Sequence, residues 1–107
     1  MTAAAHYPGE VLAQRLDAVG VLPTGLARQL GVPANRITQI INGKRGIISD
    51  SALRLADWFR DSPQFWMHLQ ALYDLELVEA ESEMAIRSLP TGPIVYGYKI
   101  NKHMKPE

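Results

Sequence analysis

Glycine and proline stand at positions 20, 23, 31, 33 and 43 of this 107-residue chain. Proline inside a helix removes a backbone donor and clashes with the turn before it. Glycine just past a helix end takes the left-handed turn at no steric cost. Only short helices fit between such breakers. Leu12, Leu16 and Val19 recur at helical spacing after Pro8-Gly9, and Gly20 stops them. Pro23 suits the first turn of a second helix, with Leu26, Ala27 and Leu30 as its apolar face and Gly31 as its end. A third helix is expected from near Ala34, with Ile37, Ile40 and Ile41 on one side and Asn42-Gly43 closing it.

Beyond residue 43 the spacing lengthens. Ser49 or Asp50 is the expected cap of a fourth helix carrying Leu53, Ala56 and Phe59. Ser62-Pro63 is a cap followed by proline, so a long fifth helix is expected over about 63–86. Trp58, Phe59, Phe65, Trp66 and Tyr73 read as core aromatics locking the last two helices together, with His68 as a packing or capping residue. Pro90 to Pro93 breaks the pattern. Ile94, Tyr96, Tyr98 and Ile100 then alternate as in a strand. Such a strand pairs across subunits, packs on a helix, or hangs as a tail. The expected fold class is all-α. Residues 1–89 form a five-helix domain with a helix-turn-helix at about 23–42, and 90–107 are a C-terminal extension.

Composition removes several chemistries. Cysteine is absent, which excludes disulfides, thiolate zinc sites and a cysteine nucleophile. His6, His68 and His103 lie far apart, and no metal or other cofactor is expected. Gly43-Lys44 resembles the end of a phosphate-binding P-loop, but Thr38 stands where its first glycine is needed. No catalytic constellation stands out, so an enzyme is not expected. No stretch reaches the roughly 18 apolar residues of a membrane span, and the first residues lack a signal peptide's apolar run. A cytoplasmic location away from membranes is expected.

Lys+Arg and Asp+Glu are 11 each, for a net charge of zero. The distribution is uneven: +3 over residues 1–60, −6 over 61–86, and +3 over 87–107. Arg28, Arg36, Lys44 and Arg45 form a run without an acid, a patch of the kind that meets phosphate. Asp74, Glu76, Glu79, Glu81 and Glu83 form either a solvated helix face or an anionic surface for a basic partner.

Two short helices joined by a tight glycine turn are the helix-turn-helix pattern. The second of them lies in the major groove, so it needs one apolar face and one hydrogen-bonding face. Residues 34–42 meet that test. Ile37, Ile40 and Ile41 close on one side, Asn35, Gln39 and Asn42 fall opposite, and Arg36 and Thr38 flank them. Asn and Gln match the N6 and N7 edge of adenine, and Arg matches O6 and N7 of guanine. The expected base readers are Asn35, Arg36, Thr38 and Gln39. Thr24, Arg28, Asn42, Lys44 and Arg45 are the expected contacts to the DNA backbone.

The segments Tyr7-Pro-Gly-Glu, Gly31-Val-Pro-Ala-Asn-Arg-Ile, Ile41-Asn-Gly-Lys-Arg-Gly-Ile, Ala52-Leu-Arg-Leu-Ala and Ser62-Pro-Gln-Phe-Trp-Met-His-Leu-Gln-Ala-Leu-Tyr-Asp-Leu carry a specific likeness. Over about residues 7–78 the chain resembles the HigA antitoxin family. This is the branch of Xre-type, lambda-repressor-like helix-turn-helix proteins also called virulence-associated protein I. The resemblance implies a five-helix domain that binds its own promoter as a homodimer. It also implies capture of a HigB-like toxin, a small ribonuclease that cleaves mRNA on the ribosome. By position, Asn35, Arg36, Thr38 and Gln39 carry over as base readers, and Asn42, Lys44 and Arg45 as backbone contacts.

The chain departs from the family at three places. Tyr7 holds the place of a histidine, and Leu22-Pro23 replace the Ser and Gln that often open the second helix. Pro33 replaces a Ser or Thr cap. Thr24 is the substitute for the lost phosphate ligand. The expected function is a DNA-binding antitoxin that represses its own operon. The alternatives are a toxin-neutralising interaction module with little DNA affinity, and a stand-alone Xre-type regulator.

Overall fold

The computed structural model describes residues 7–95. Five helices follow one another: α1 (Pro8–Val19), α2 (Pro23–Leu30), α3 (Ala34–Ile41), α4 (Ser49–Phe59) and α5 (Pro63–Arg87). No strand occurs among the described residues. Most of the strand expected over 94–100 lies outside them; Ile94 and Val95 are exposed and in no regular element.

The breakers act as expected. Pro8, Pro23 and Pro63 sit in the first turns of α1, α2 and α5. Gly20 and Gly31 end α1 and α2 in the left-handed region, at φ 70° and 73°. Ser62 caps α5 by accepting from the Phe65 N–H at 3.0 Å. The α4 cap differs from expectation. Its N-cap is Ile48, without a side-chain hydrogen bond, and Ser49 is already helical.

Leu12, Leu16, Leu26, Ala27, Ile37, Ile40, Ile47, Ala52, Leu55, Ala56 and Trp66 form one buried core drawn from all five helices and the α3–α4 loop. α3 packs on α2 and α1, while α5 packs chiefly on α4. Gly9 permits the closest approach. A Cβ there would lie 2.0 Å from the carbonyl oxygen of Ile40, so α1 can touch the α3 backbone only through glycine.

Two expected inward residues lie at the edge instead. Val19 is 55% and Leu53 60% exposed; the small side chains Ala52 and Ala56 face inward on α4 with Leu55. Of the five aromatics read as core, only Trp66 is fully buried. Trp58, Phe59, Phe65 and Tyr73 are half-buried, and His68 is exposed rather than packed. Arg15 of α1 lies at the edge of this aromatic group. Its guanidinium lies over the rings of Phe59, Phe65 and Trp66, at 4.7 Å from the Phe65 centroid. It also pairs with Asp61, whose other oxygen accepts from the Trp66 indole N–H at 3.0 Å. A cation needs access to water, so this cluster closes the core at its rim.

From Asp74 to Val95 every residue except Ser82 is exposed. The second half of α5 therefore projects beyond the core. Its acids are solvated, with Glu83 pairing to Arg87 at 2.7 Å. No helix among the described residues is long and apolar enough to cross a membrane.

Candidate nucleic-acid interface

α3 is held from behind. Ile37 and Ile40 are buried, which fixes the helix's rotation. Tyr7 donates from its hydroxyl to the carbonyl of Ile41, one of the carbonyls a helix C-terminus leaves unpaired. Arg54 of α4 donates to the carbonyl of Leu30 at 2.7 Å and so closes the end of α2 beside the turn. These contacts set α2, the glycine turn and α3 as one rigid unit.

With that rotation, Asn35 and Asn42 are exposed, and Thr38 and Gln39 half-buried, on the side away from the isoleucines. Thr38 donates to the carbonyl of Asn35 at 3.2 Å. Arg45 donates to Oε1 of Gln39 at 3.0 Å, which brings an expected backbone contact onto an expected base reader. Lys44, Arg45, Thr24 and Arg28 are all exposed.

Arg36 behaves differently. It is half-buried, and its guanidinium reaches Asp50 of α4 at 3.5 Å. Asp50 also accepts from Arg54 at 3.0 Å. The Arg54 hydrogen bond, with the charges of Arg54 and Arg36, holds the Asp50 carboxyl below the usual carboxylate range. Arg36 thus joins α3 to α4 and is not brought together with Asn35 and Gln39. Sequence reading took Asp50 only as a cap; its i,i+4 pair with Arg54 was open to helix spacing, whereas the contacts of Arg36 to Asp50 and of Ile47 to Gln70 join residues 14 and 23 apart with no motif between them.

The N-termini of α2 and α3 carry no side-chain cap; Leu22 and Pro33 stand there. Backbone N–H groups at such ends are open to an anion such as phosphate. Among the described residues no group of three metal-ligating side chains occurs.

A short helix with an amide-bearing outer face, locked to a second helix across a glycine turn and flanked by an exposed basic loop, defines a helix-turn-helix DNA-binding domain of the lambda-repressor-like kind. No family model matches the chain. Individual relatives do. Virulence-associated protein I of Dichelobacter nodosus is 38% identical over 80 residues, 74% of each chain. An addiction-module antidote protein of the HigA family from Coxiella burnetii superposes with a TM-score of 0.82 at 38% identity, over 85% of this chain and all of that one. The antitoxin HigA of Pseudomonas aeruginosa, solved with the higBA promoter, gives 0.77 at 36% identity, over 80% and 96% of the two chains. The chain belongs to the HigA antitoxin family of helix-turn-helix proteins. Such proteins bind DNA and are not enzymes.

Proposed function

We propose that this chain is the antitoxin of a type II toxin–antitoxin pair, binding its own operator as a homodimer and neutralising a HigB-like ribonuclease. The observation that carries the reading is the outward amide face of α3, Asn35 and Gln39, beside the exposed cations Lys44 and Arg45. The P. aeruginosa relative solved on promoter DNA supports it. Asn35, Thr38 and Gln39 read bases. Thr24, Arg28, Asn42, Lys44 and Arg45 contact the backbone, helped by the open N-termini of α2 and α3. Arg36 reads a base only after leaving Asp50, so we assign it a secondary share.

Residues 1–89 are the DNA-binding domain and 90–107 an extension. The projecting half of α5 has Leu75, Val78, Ser82 and Ala85 along one side at heptad spacing. We assign this stripe to a second copy of the chain. Glu76, Glu79 and Glu83 beside it offer a basic toxin an electrostatic counterpart. DNA as the target places its work in the cytoplasm.

A second reading, a toxin-binding module with little DNA affinity, draws on Leu22 and Pro33, which supply no side-chain phosphate ligand. Gel-shift titration of the region upstream of its own coding frame, at stated salt, separates the two. A neighbouring reading frame for a basic protein of about one domain's length separates an antitoxin from a stand-alone regulator.

A further inference from the structure

We propose that Gln70 of α5 is the positioning residue of the DNA-backbone loop, holding Lys44 and Arg45 at the height of the phosphates without touching DNA. The proposal rests on the DNA-binding reading and deepens it.

The loop has little packing beneath it. A cleft of about 150 Å³ opens there, lined among others by Tyr7, Gly43, Lys44, Gly46, Gln70 and Tyr73. A space of that size holds several waters; the Tyr7 ring stands against Gly43, but apolar contact does not fix Lys44 to Gly46 from below. Hydrogen bonds at its two ends do. Upstream, the Lys44 N–H donates to the carbonyl of Gln39 at 2.8 Å, inside α3 itself. Downstream, the Ile47 N–H donates to Oε1 of Gln70 at 2.7 Å. The second bond is the loop's tie to α5.

The Gln70 amide has one allowed orientation. Its Nε2 donates to Asp74, one turn further along, at 3.0 Å. An ionised carboxylate only accepts, so the amide oxygen must face Ile47. Gly46 fits against the same amide; an added Cβ would stand 3.2 Å from its Cδ, Nε2 and Oε1. The Ile47 side chain is buried, 2% exposed. Core and amide together therefore pin one residue, two positions after Arg45. Losing the Gln70 oxygen leaves a partly buried N–H without its partner and loosens the segment between Lys44, still bonded to Gln39, and Ile47. Backbone contacts set register and affinity but carry no sequence information. The consequence falls first on the salt dependence, and on base preference only at the position read by Gln39, through its bond to Arg45.

The test uses the full chain, a duplex of its own upstream region and fluorescence anisotropy over a series of salt concentrations. Gln70→Leu removes the acceptor. Asp74→Ala, which only frees the amide, serves as the milder variant should the first fold poorly. Ile47 amide exchange, followed by NMR without DNA, reads the tie itself. We expect Gln70→Leu to weaken binding about 5–10-fold near physiological salt and to flatten the salt slope by about one unit, the signature of one lost phosphate contact. Ile47 exchange should accelerate, preference among substituted duplexes should relax at no position other than the one Gln39 reads, and Lys44→Ala added to Gln70→Leu should change little more. An unchanged salt slope, with the Lys44→Ala effect fully additive, would overturn the proposal. So would unchanged Ile47 exchange. A wild-type chain that fails to bind any duplex brings down the DNA-binding reading and this proposal together; in failure of the tie alone, wild type and Gln70→Leu bind alike.

Discussion

Arg45 donates through Nε to Oε1 of Gln39 across 3.0 Å. Arginine has no acceptor, so the amide oxygen must face it and the NH₂ must face the other way. Reading adenine requires that amide to present a donor to N7 and an acceptor to N6. On the proposed reading, Arg45 presets which is which, and Oε1 keeps a second lone pair free for a base. Gln39→Ala should weaken operator binding by about 1–3 kcal/mol and relax one base position. Arg45→Ala should relax the same position in part and also flatten the salt slope by about one unit. Titrations against duplexes substituted one base pair at a time check both. Loss of affinity in Arg45→Ala with full preference retained would leave it a backbone contact only.

The stability of the motif depends on a contact without side chains. Gly9→Ala places a Cβ 2.0 Å from the Ile40 carbonyl oxygen. Backbone cannot yield as a side-chain tip does, so the substitution should cost about 1–3 kcal/mol or more. Trp66→Ala, at the centre of the core, should cost about 3–5 kcal/mol. Urea melts followed by circular dichroism measure both. A Gly9→Ala midpoint equal to wild type would mean that α1 does not press on α3.

Much of this framework was legible because its signals are local. Gly20, Gly31 and Gly43 all adopt positive φ, and Ser62 accepts the N–H its position predicts. Where the reading missed, a tertiary partner had intervened. Asp50 looks like a cap, yet its carboxylate is taken by Arg54 and Arg36, which leaves Ile48 at the helix start. α4 ends on Arg60 at φ 61°, with no glycine to announce it. Leu53 and Ala52 both suit a helical period, and it is Ala52, with Leu55 and Ala56, that is buried. The outer face of α3 followed from the isoleucines alone, whereas the diversion of Arg36 needed α4 in place.

Asp50 gives a pH dependence. A carboxyl whose folded pKa is lowered stabilises the fold fully above its unfolded value, about 3.9. That contribution is lost as the pH falls through the lower folded value. Thermal melts of wild type and Asp50→Asn should therefore differ by a constant interval from pH 7 to pH 5 and converge below about pH 4. An interval that shrinks between pH 7 and pH 5 would contradict the role given to Arg54 and Arg36.

The projecting half of α5 predicts an oligomer. Leu75→Lys with Val78→Lys should shift the protein from dimer to monomer in analytical ultracentrifugation, with helicity retained. Both residues are more than half exposed within one chain, at 57% and 51%, so the monomer loses no core. A dimer that survives both substitutions and disappears on deletion of residues 90–107 would move the interface to the extension.

Specific recognition is decided by competition. Labelled upstream duplex bound to the protein is titrated with unlabelled upstream duplex and, separately, with a scrambled duplex of the same composition, at about 150 mM salt. The expected result is preference for the upstream sequence by about a thousandfold or more. Equal competition by the two duplexes would contradict it, leaving only the basic rim and no reading by α3.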